Sequence, residues 1–355
     1  VFVKTDNPPR ILRPQEPRPP FPYKSEDVVF LNKKAGIELA GTLTIPETAG
    51  PFPVVVLVSG SGPQDRNEEI LGHKPFLVIA DYLTRNDIAV LRYDDRGTGS
   101  SSGIYPLSTT EDFALDATAA VEYLKNRSDI DPEKIGIIGH SEGAMIAAMV
   151  AAKRKDIAFI VMMAGPGVVG EELLYMQTEA VGRSEKMPDD EIKELLDVTK
   201  HIYEIVKNEK DNEKAARQIR DYYTEISEGL SKEEKEKKGY TFVYVSATIG
   251  QVTSQWFRYF LEFDPCRDIK KVKCPVLAMN GEKDLQVPYE ANLETIKTLL
   301  QKAGTAKNKT IMIEGVNHLF QTCETGLPSE YATIPETVSP KAMLSMYEWI
   351  RTVID

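Results

Sequence analysis

Cysteine is nearly absent. The 355 residues hold only Cys266, Cys274 and Cys323, too few for a disulfide framework. They read as three free thiols in preference to a Cys266–Cys274 bridge. No Cys-x-x-Cys and no His-rich tract is present, so no metal is expected. Positive charge is also in deficit: 43 Lys and Arg stand against 54 Asp and Glu, a net charge of −11. That balance leaves no extended phosphate-binding surface and argues against a nucleic-acid partner. No apolar run approaches the roughly 20 residues needed to span a bilayer, so no membrane partner is expected. Histidine is scarce as well, with only four in the chain, which later allows a catalytic base to be sought by elimination.

What is present is ordinary for a water-soluble globular protein: 42% apolar and 27% charged residues. The length suits one large domain or two ordinary ones. The chain opens at Val1 with no methionine and no signal-like segment, which fits a mature or trimmed product such as an exported bacterial protein; the compartment and the oligomeric state stay open. Residues 8–22, PPRILRPQEPRPPFP, hold too many prolines for a helix or a central strand. They are expected to form an extended arm, assigned to residues 1–25.

From residue 26 the pattern is regular. DVVFLN and IELAGTLTIP read as paired strands, PVVVLVSG as a strand buried on both faces, and IAVLRYD, IGIIGHS and IAFIVMMAG as further strands. Helical stretches separate them at 75–86, 109–127 and 142–153. Strands alternating with helices imply a mostly parallel sheet with helices on both faces. The alternation stops between 171 and 260, where Ile192, Leu195, Leu196, Ile202, Ile205 and Val206, and then Ala215, Ala216, Ile219, Tyr222, Tyr223 and Ile226, keep helical spacing. It resumes at PVLAMNG (275–281). The expected organisation is therefore a core of 26–167 and 263–355, interrupted by a helical insertion at 168–262. The charged stretch SKEEKEKKG (231–239) reads as a solvated face.

The strand IGIIGHS runs into Gly139-His140-Ser141-Glu142-Gly143 and then an alanine-rich helix. Gly-x-Ser-x-Gly alone is weak, since a chain of this length should show about 0.1 such matches by chance. A serine hydroxyl needs a base to become a nucleophile, and the base needs a carboxylate to orient it. Of the four histidines, His140 adjoins the serine and is expected to point away from its hydroxyl. His201 lies among charges in the insertion, and His73 precedes a helix on the amino-terminal side of the elbow, where it reads as structural. His318, in the loop after the last core strand, shares the carboxyl edge of the sheet with Ser141. The loop after the preceding strand offers Glu282 and Asp284, of which Asp284 is preferred because Glu282 follows the strand immediately. The order Ser141, Asp284, His318 is that of α/β-hydrolases. An oxyanion would be met by the backbone N–H of Glu142 and by a second donor from SGSGPQDRNEE (59–69). Ser61 is favoured there, with Gly62 and Gln64 as weaker candidates; Asp65 and Arg66 read as a structural pair.

On SGSGPQDR (59–66), RYDDRGTGSS (92–101), GHSEG (139–143), GEKDLQVP (281–288) and NHLFQ (317–321), the sequence resembles the α/β-hydrolase superfamily. It is more specifically similar to bacterial carboxylesterases with a helical cap, of the EstD-like kind. The resemblance covers about residues 26–355. It implies hydrolysis of short- to medium-chain acyl esters through an acyl-enzyme, with no cofactor and a small-molecule substrate. A serine peptidase, acyl-peptidase or acyltransferase on the same residues is the alternative. Dienelactone hydrolases, also similar, usually carry a cysteine where Ser141 stands. Within SQWFRYFLEFD (254–264), the aromatic residues Trp256, Phe257 and Tyr259 are expected to line the substrate pocket.

Overall fold

The computed structural model describes residues 12–355. Its elements in chain order are β1 (Tyr23–Asn32), β2 (Ile37–Pro46), β3 (Phe52–Val58), α1 (Pro75–Thr84), β4 (Ala89–Tyr93), α2 (Thr110–Lys125), β5 (Ile130–His140), α3 (Glu142–Lys153) and β6 (Phe159–Met163). Seven helices follow: α4 (Gly170–Ser184), α5 (Asp189–Asn208), α6 (Asn212–Ile226), α7 (Lys232–Lys237), α8 (Phe242–Val252), α9 (Gln255–Glu262) and α10 (Cys266–Ile269). The chain closes with β7 (Val276–Gly281), α11 (Tyr289–Ala303), β8 (Lys309–Ile313), α12 (Pro328–Tyr331) and α13 (Pro340–Ile354).

One eight-stranded sheet carries the strands in the order β1-β2-β4-β3-β5-β6-β7-β8. β1 and β2 pair antiparallel, as do β2 and β4; every later pairing is parallel. The central strands are buried along their whole length, as in VVVLV of β3 and FIVMM of β6, because helices cover both faces. On one face Val54, Val56, Ile137 and Ile160 pack against α2, α3 and α11. On the other, Val55, Leu57, Ile138 and Val161 pack against α1 and α13. The parallel strands all end at one edge, so the loops after β3, β5, β7 and β8 converge there.

The helices between β6 and β7 build a small core of their own. Val198, Ile202 and Val206 of α5 meet Ile219 and Tyr223 of α6, Val245 and Ile249 of α8, and Phe257 and Leu261 of α9. Local chemistry starts these helices: Asp211 caps α6, Thr241 caps α8 and Ser254 caps α9, while Asp189, Asp190 and Glu191 occupy the first turn of α5. α7 buries no residue and is held by the ion pairs Lys237–Glu191 and Lys238–Glu194.

The proline-rich stretch departs from the expectation of an extended arm reaching residue 25. Residues 1–11 lie outside the described residues. Residues 12–22 turn and lie against the core, and Tyr23–Ser25, assigned to the arm, begin β1. The Gln15 side chain fastens this segment by accepting from Thr337 N–H (2.5 Å) and Val338 N–H (3.1 Å) and donating to Val338 O (2.6 Å). The three cysteines are free thiols.

Candidate active site

Ser141 sits between β5 and α3 with φ +54° and ψ −117°, a conformation a serine adopts only when its surroundings enforce it. Its N–H continues the ladder to Met163 O at 2.8 Å. The flanking glycines are there because backbones cross at this turn. A Cβ on Gly139 would lie 2.0 Å from Gly143 O, and one on Gly143 would lie 2.0 Å from Val58 O. The sequence thus forces Ser141 outward at the carboxyl edge, with the α3 N-terminus beneath it.

His318 and Asp284 arrive from the loops after β8 and β7. His318 Nδ1 and Asp284 Oδ2 are 2.8 Å apart, and both side chains are buried. Asp284 Oδ1 is fixed by the N–H groups of Gln286 (2.9 Å) and Val287 (2.8 Å), so the carboxylate presents its other oxygen to the ring. An imidazole held this way keeps one tautomer, leaving Nε2 as the free acceptor. Ser141 Oγ and His318 Nε2 are not hydrogen-bonded in this arrangement; such contacts tighten when substrate is held. Glu282, the other carboxylate of that loop, is exposed and accepts from Gly315 N–H at 2.9 Å, a turn-closing role. His73 is buried between Tyr331 O and Thr337 Oγ1. His201 stacks on Tyr222 at the surface, with ring centroids 3.9 Å apart.

The loop after β3 passes against the serine: a Cβ on Gly60 would meet Ser141 Cβ at 3.3 Å. Its amides are mostly committed. Gly60 N–H donates to Glu68 Oε1 (2.7 Å), Gly62 N–H to Tyr105 Oη (2.9 Å) and Gln64 N–H to Asp95 Oδ2 (2.9 Å). Pro63 has none. Gly62 and Gln64, named as weaker oxyanion donors, are therefore engaged elsewhere, whereas no hydrogen bond among the described residues uses the Ser61 N–H. Arg66 pairs with Asp94 (2.7 Å) and Asp27 (3.2 Å) and not with Asp65. Asp65 instead accepts from the N–H groups of Asn67 and Glu69.

Three groups escaped sequence reasoning. His140 does turn away from the serine hydroxyl, but its ring bridges the site: Nδ1 faces Glu68 Oε1 at 2.9 Å and Nε2 donates to His318 O at 3.0 Å. Burial opposes its positive charge, yet Glu68 and the neighbouring acceptors outweigh burial and raise its pKa. Asp95, buried and accepting from Ser59 Oγ at 2.8 Å, is pushed up to about 8, first by burial and further by the charges of Glu142 and Glu68. Glu142 is only 3% exposed; burial raises it to about 6 while Thr110 Oγ1 (2.6 Å) and Trp256 Nε1 (2.8 Å) donate to its Oε1. No local sequence signal marks these side-chain roles, because their partners lie far apart in the chain and only the fold brings them together.

The expected pocket residues separate. Trp256 is half-buried, stacks on Phe260 with centroids 5.1 Å apart and reaches the residue after Ser141. Tyr259 is half-buried against the sheet-side core. Phe257 is a correction: it is 2% exposed and packs inside the helical segment against Tyr203. The reason is spacing, because Phe257, Phe260 and Leu261 fall on the inward face of α9. Among the described residues, no group of three or more His, Cys, Asp or Glu side chains could hold a metal ion, and no helix is long and apolar enough to cross a membrane.

A serine on a strained strand-to-helix turn, at the carboxyl edge of a mostly parallel eight-stranded sheet whose last two strands supply an Asp–His pair, defines the α/β-hydrolase fold. The family model described as serine aminopeptidase, S33 matches residues 74–322, well over half of the sequence, and the chain belongs to this α/β-hydrolase family. Esterase EstD of Thermotoga maritima is 29% identical over 299 residues, covering 82% of this chain; the matched part spans 61% of that esterase. Two solved structures share the fold. The Pyrococcus furiosus esterase Pf2001 has a TM-score of 0.56 at 14% identity, covering 99% of this chain and 100% of its own. The α/β-hydrolase GrgF from a Penicillium species has a TM-score of 0.56 at 15% identity, covering 93% and 99%.

Proposed function

We propose that the protein is a serine hydrolase that cleaves carboxylic esters of small or medium acyl groups. The observation that carries this is the Asp284–His318 pair at 2.8 Å on the same sheet edge as the strained Ser141. In this reading His318 Nε2 takes the Ser141 proton as Oγ attacks the ester carbonyl, and Asp284 stabilises the imidazolium. The tetrahedral oxyanion takes hydrogen bonds from the N–H groups of Glu142 and Ser61. His318 then protonates the leaving alkoxide, leaving an acyl-Ser141 that water, activated by the same histidine, hydrolyses. The Ser61 amide, which has no partner among the described residues, supports its role, since the alternatives in that loop are engaged.

The helices of 168–262 act as a cap over this edge in the same reading, with Trp256 and Tyr259 shaping the acyl site. The name of the Thermotoga relative favours an esterase, and the family description raises a peptidase. A panel of p-nitrophenyl esters of increasing acyl length, set against aminoacyl p-nitroanilides, separates the two. The esterase reading expects turnover of the esters with no more than a trace on the anilides. Preferential anilide cleavage would replace it with the peptidase.

A further inference from the structure

We infer that Arg13 and Gln15, in the segment ahead of the sheet, are positioning residues for His318, an inference that rests on the histidine's proposed role. The chain of contacts is continuous. The Arg13 guanidinium donates to Ala332 O (2.8 Å) and Ile334 O on one side and to Leu71 O (3.2 Å) and Gly72 O (3.3 Å) on the other. Gln15 takes both amides of Thr337 and Val338 and donates to Val338 O. Between them these two side chains hold the strap of residues 331–339 along much of its length.

The strap in turn grips both loops that carry the Asp–His pair. His73, wholly buried, sits between the strap's Tyr331 O (2.8 Å) and Thr337 Oγ1 (3.0 Å). Its Nε2 also lies 2.9 Å from Gln321 Nε2, which ties the ring to the turn that carries His318. Gln321 donates to Glu336 O (3.1 Å) and accepts from Asn317 Nδ2 (3.0 Å). Ser339 N–H closes on Phe320 O at 2.7 Å. Asn317 Oδ1 then collects the N–H groups of Leu319 and Gln321, at 3.0 Å each, which shapes the turn holding His318. Phe320 sits at φ +60°, a strained position for an aromatic residue that needs outside support. On the other side, Tyr331 Oη accepts from Gln286 Nε2 at 3.2 Å, and the Gln286 N–H is one of the two that fix Asp284.

Asn317, Gln321, Thr337 and His73 are all fully buried. A buried polar network of this kind holds its geometry only while every member is satisfied. Removing the strap's outer fastenings leaves the carbonyls and amides of 332–338 to water and lets the histidine turn relax. Neither Arg13 nor Gln15 needs to touch substrate for this to matter, because displacement of a reacting group by about 1 Å can cost up to about a hundredfold in rate.

The test compares the full chain with Gln15→Ala, the double variant Arg13→Ala/Gln15→Ala, and Gln15→Glu, which keeps an oxygen for both strap amides. Three readouts are taken on folded protein: amide hydrogen exchange of Leu319 and Gln321, steady-state kinetics on p-nitrophenyl acetate, and the rate at which a fluorophosphonate labels Ser141. The inference expects faster exchange at those two amides in the alanine variants. It expects kcat to fall about tenfold with KM within about twofold, slower labelling in parallel, and a partial recovery in Gln15→Glu, whose second carboxylate oxygen faces Val338 O. Should the double variant fail to fold, Gln15→Ala carries the same readouts. Unchanged exchange at Leu319 and Gln321, or unchanged kcat with only a lowered melting temperature, overturns it. Failure of a fluorophosphonate to label the unaltered protein instead refutes the serine-hydrolase reading, and the exchange measurement still decides whether the arm holds the turn.

Discussion

The indole N–H of Trp256 donates to Oε1 of Glu142 at 2.8 Å, so a helix inserted between β6 and β7 is tied directly to the residue that follows Ser141. The bond is to a buried carboxylate, the kind worth about 1.5–3 kcal/mol when a charge is involved. It couples the position of α9 to the N-terminal turn of α3, from which the oxyanion would be met.

Trp256→Phe removes that N–H and part of the indole while an aromatic ring still stacks on Phe260. Its expected effect is a several-fold rise in KM for the longer acyl esters, about the size of one lost hydrogen bond, with kcat on acetate esters little changed. Steady-state kinetics across acyl lengths checks this. An equal loss on every ester would mean that the bond serves Glu142 alone.

Asp284→Asn should lower kcat by about a hundredfold to ten-thousandfold, because the amide favours the wrong imidazole tautomer. Glu282→Gln should stay within about threefold of the unaltered protein, since its carboxylate faces Gly315 N–H and is exposed. Rates measured on the two purified variants under one condition decide it, and a greater loss in Glu282→Gln would exchange the roles.

Gly139→Ala and Gly143→Ala should each destabilise the fold by more than about 3 kcal/mol or prevent its recovery. The new methyl would stand 2.0 Å from a backbone oxygen in either case, and neither the sheet nor α3 can shift independently. Urea denaturation reads the loss. A variant as stable as the original would show that the turn is looser than described.

Asp95 makes a prediction about pH. Its folded pKa of about 8 lies above the ordinary 3.8 because it is buried beside Glu142 and Glu68. The folded protein therefore keeps a proton that the unfolded chain releases, and stability falls as pH rises from about 4 to about 8, at up to about 1.4 kcal/mol per pH unit. Asp95→Asn keeps the acceptor for Gln64 N–H and cannot ionise. Its stability relative to the unaltered protein should climb with pH across that window, as measured by urea midpoints at a series of pH values. A difference that stays flat with pH contradicts the assignment.

The sheet and the turn at Ser141 were legible because their signals are local. β-Branched runs buried on both faces, glycines that only close backbone crossings require, and helix stripes at 3.6-residue spacing all lie within a dozen residues of one another. Asp284 and His318 were reachable through chain order and the scarcity of histidine. What stayed hidden depends on contacts far apart in sequence. The His140 ring joins Glu68 to the His318 carbonyl across 178 residues, and Gln15 meets Val338 across 323. A proline-rich segment reads locally as an extended arm, since nothing within it names the strap it fastens. Phe257 looked like a pocket residue because aromatic composition does not reveal which face of α9 turns inward.

The central claim is that Ser141 is a nucleophile activated by His318, and the most direct measurement is the site and rate of its covalent capture. The protein is treated with a fluorophosphonate and the modified peptide located by mass spectrometry. The account predicts a single adduct on Ser141, none in Ser141→Ala, and labelling slowed by at least about a hundredfold in a folded His318→Ala. An adduct on another residue, or labelling as fast without His318 as with it, would contradict it.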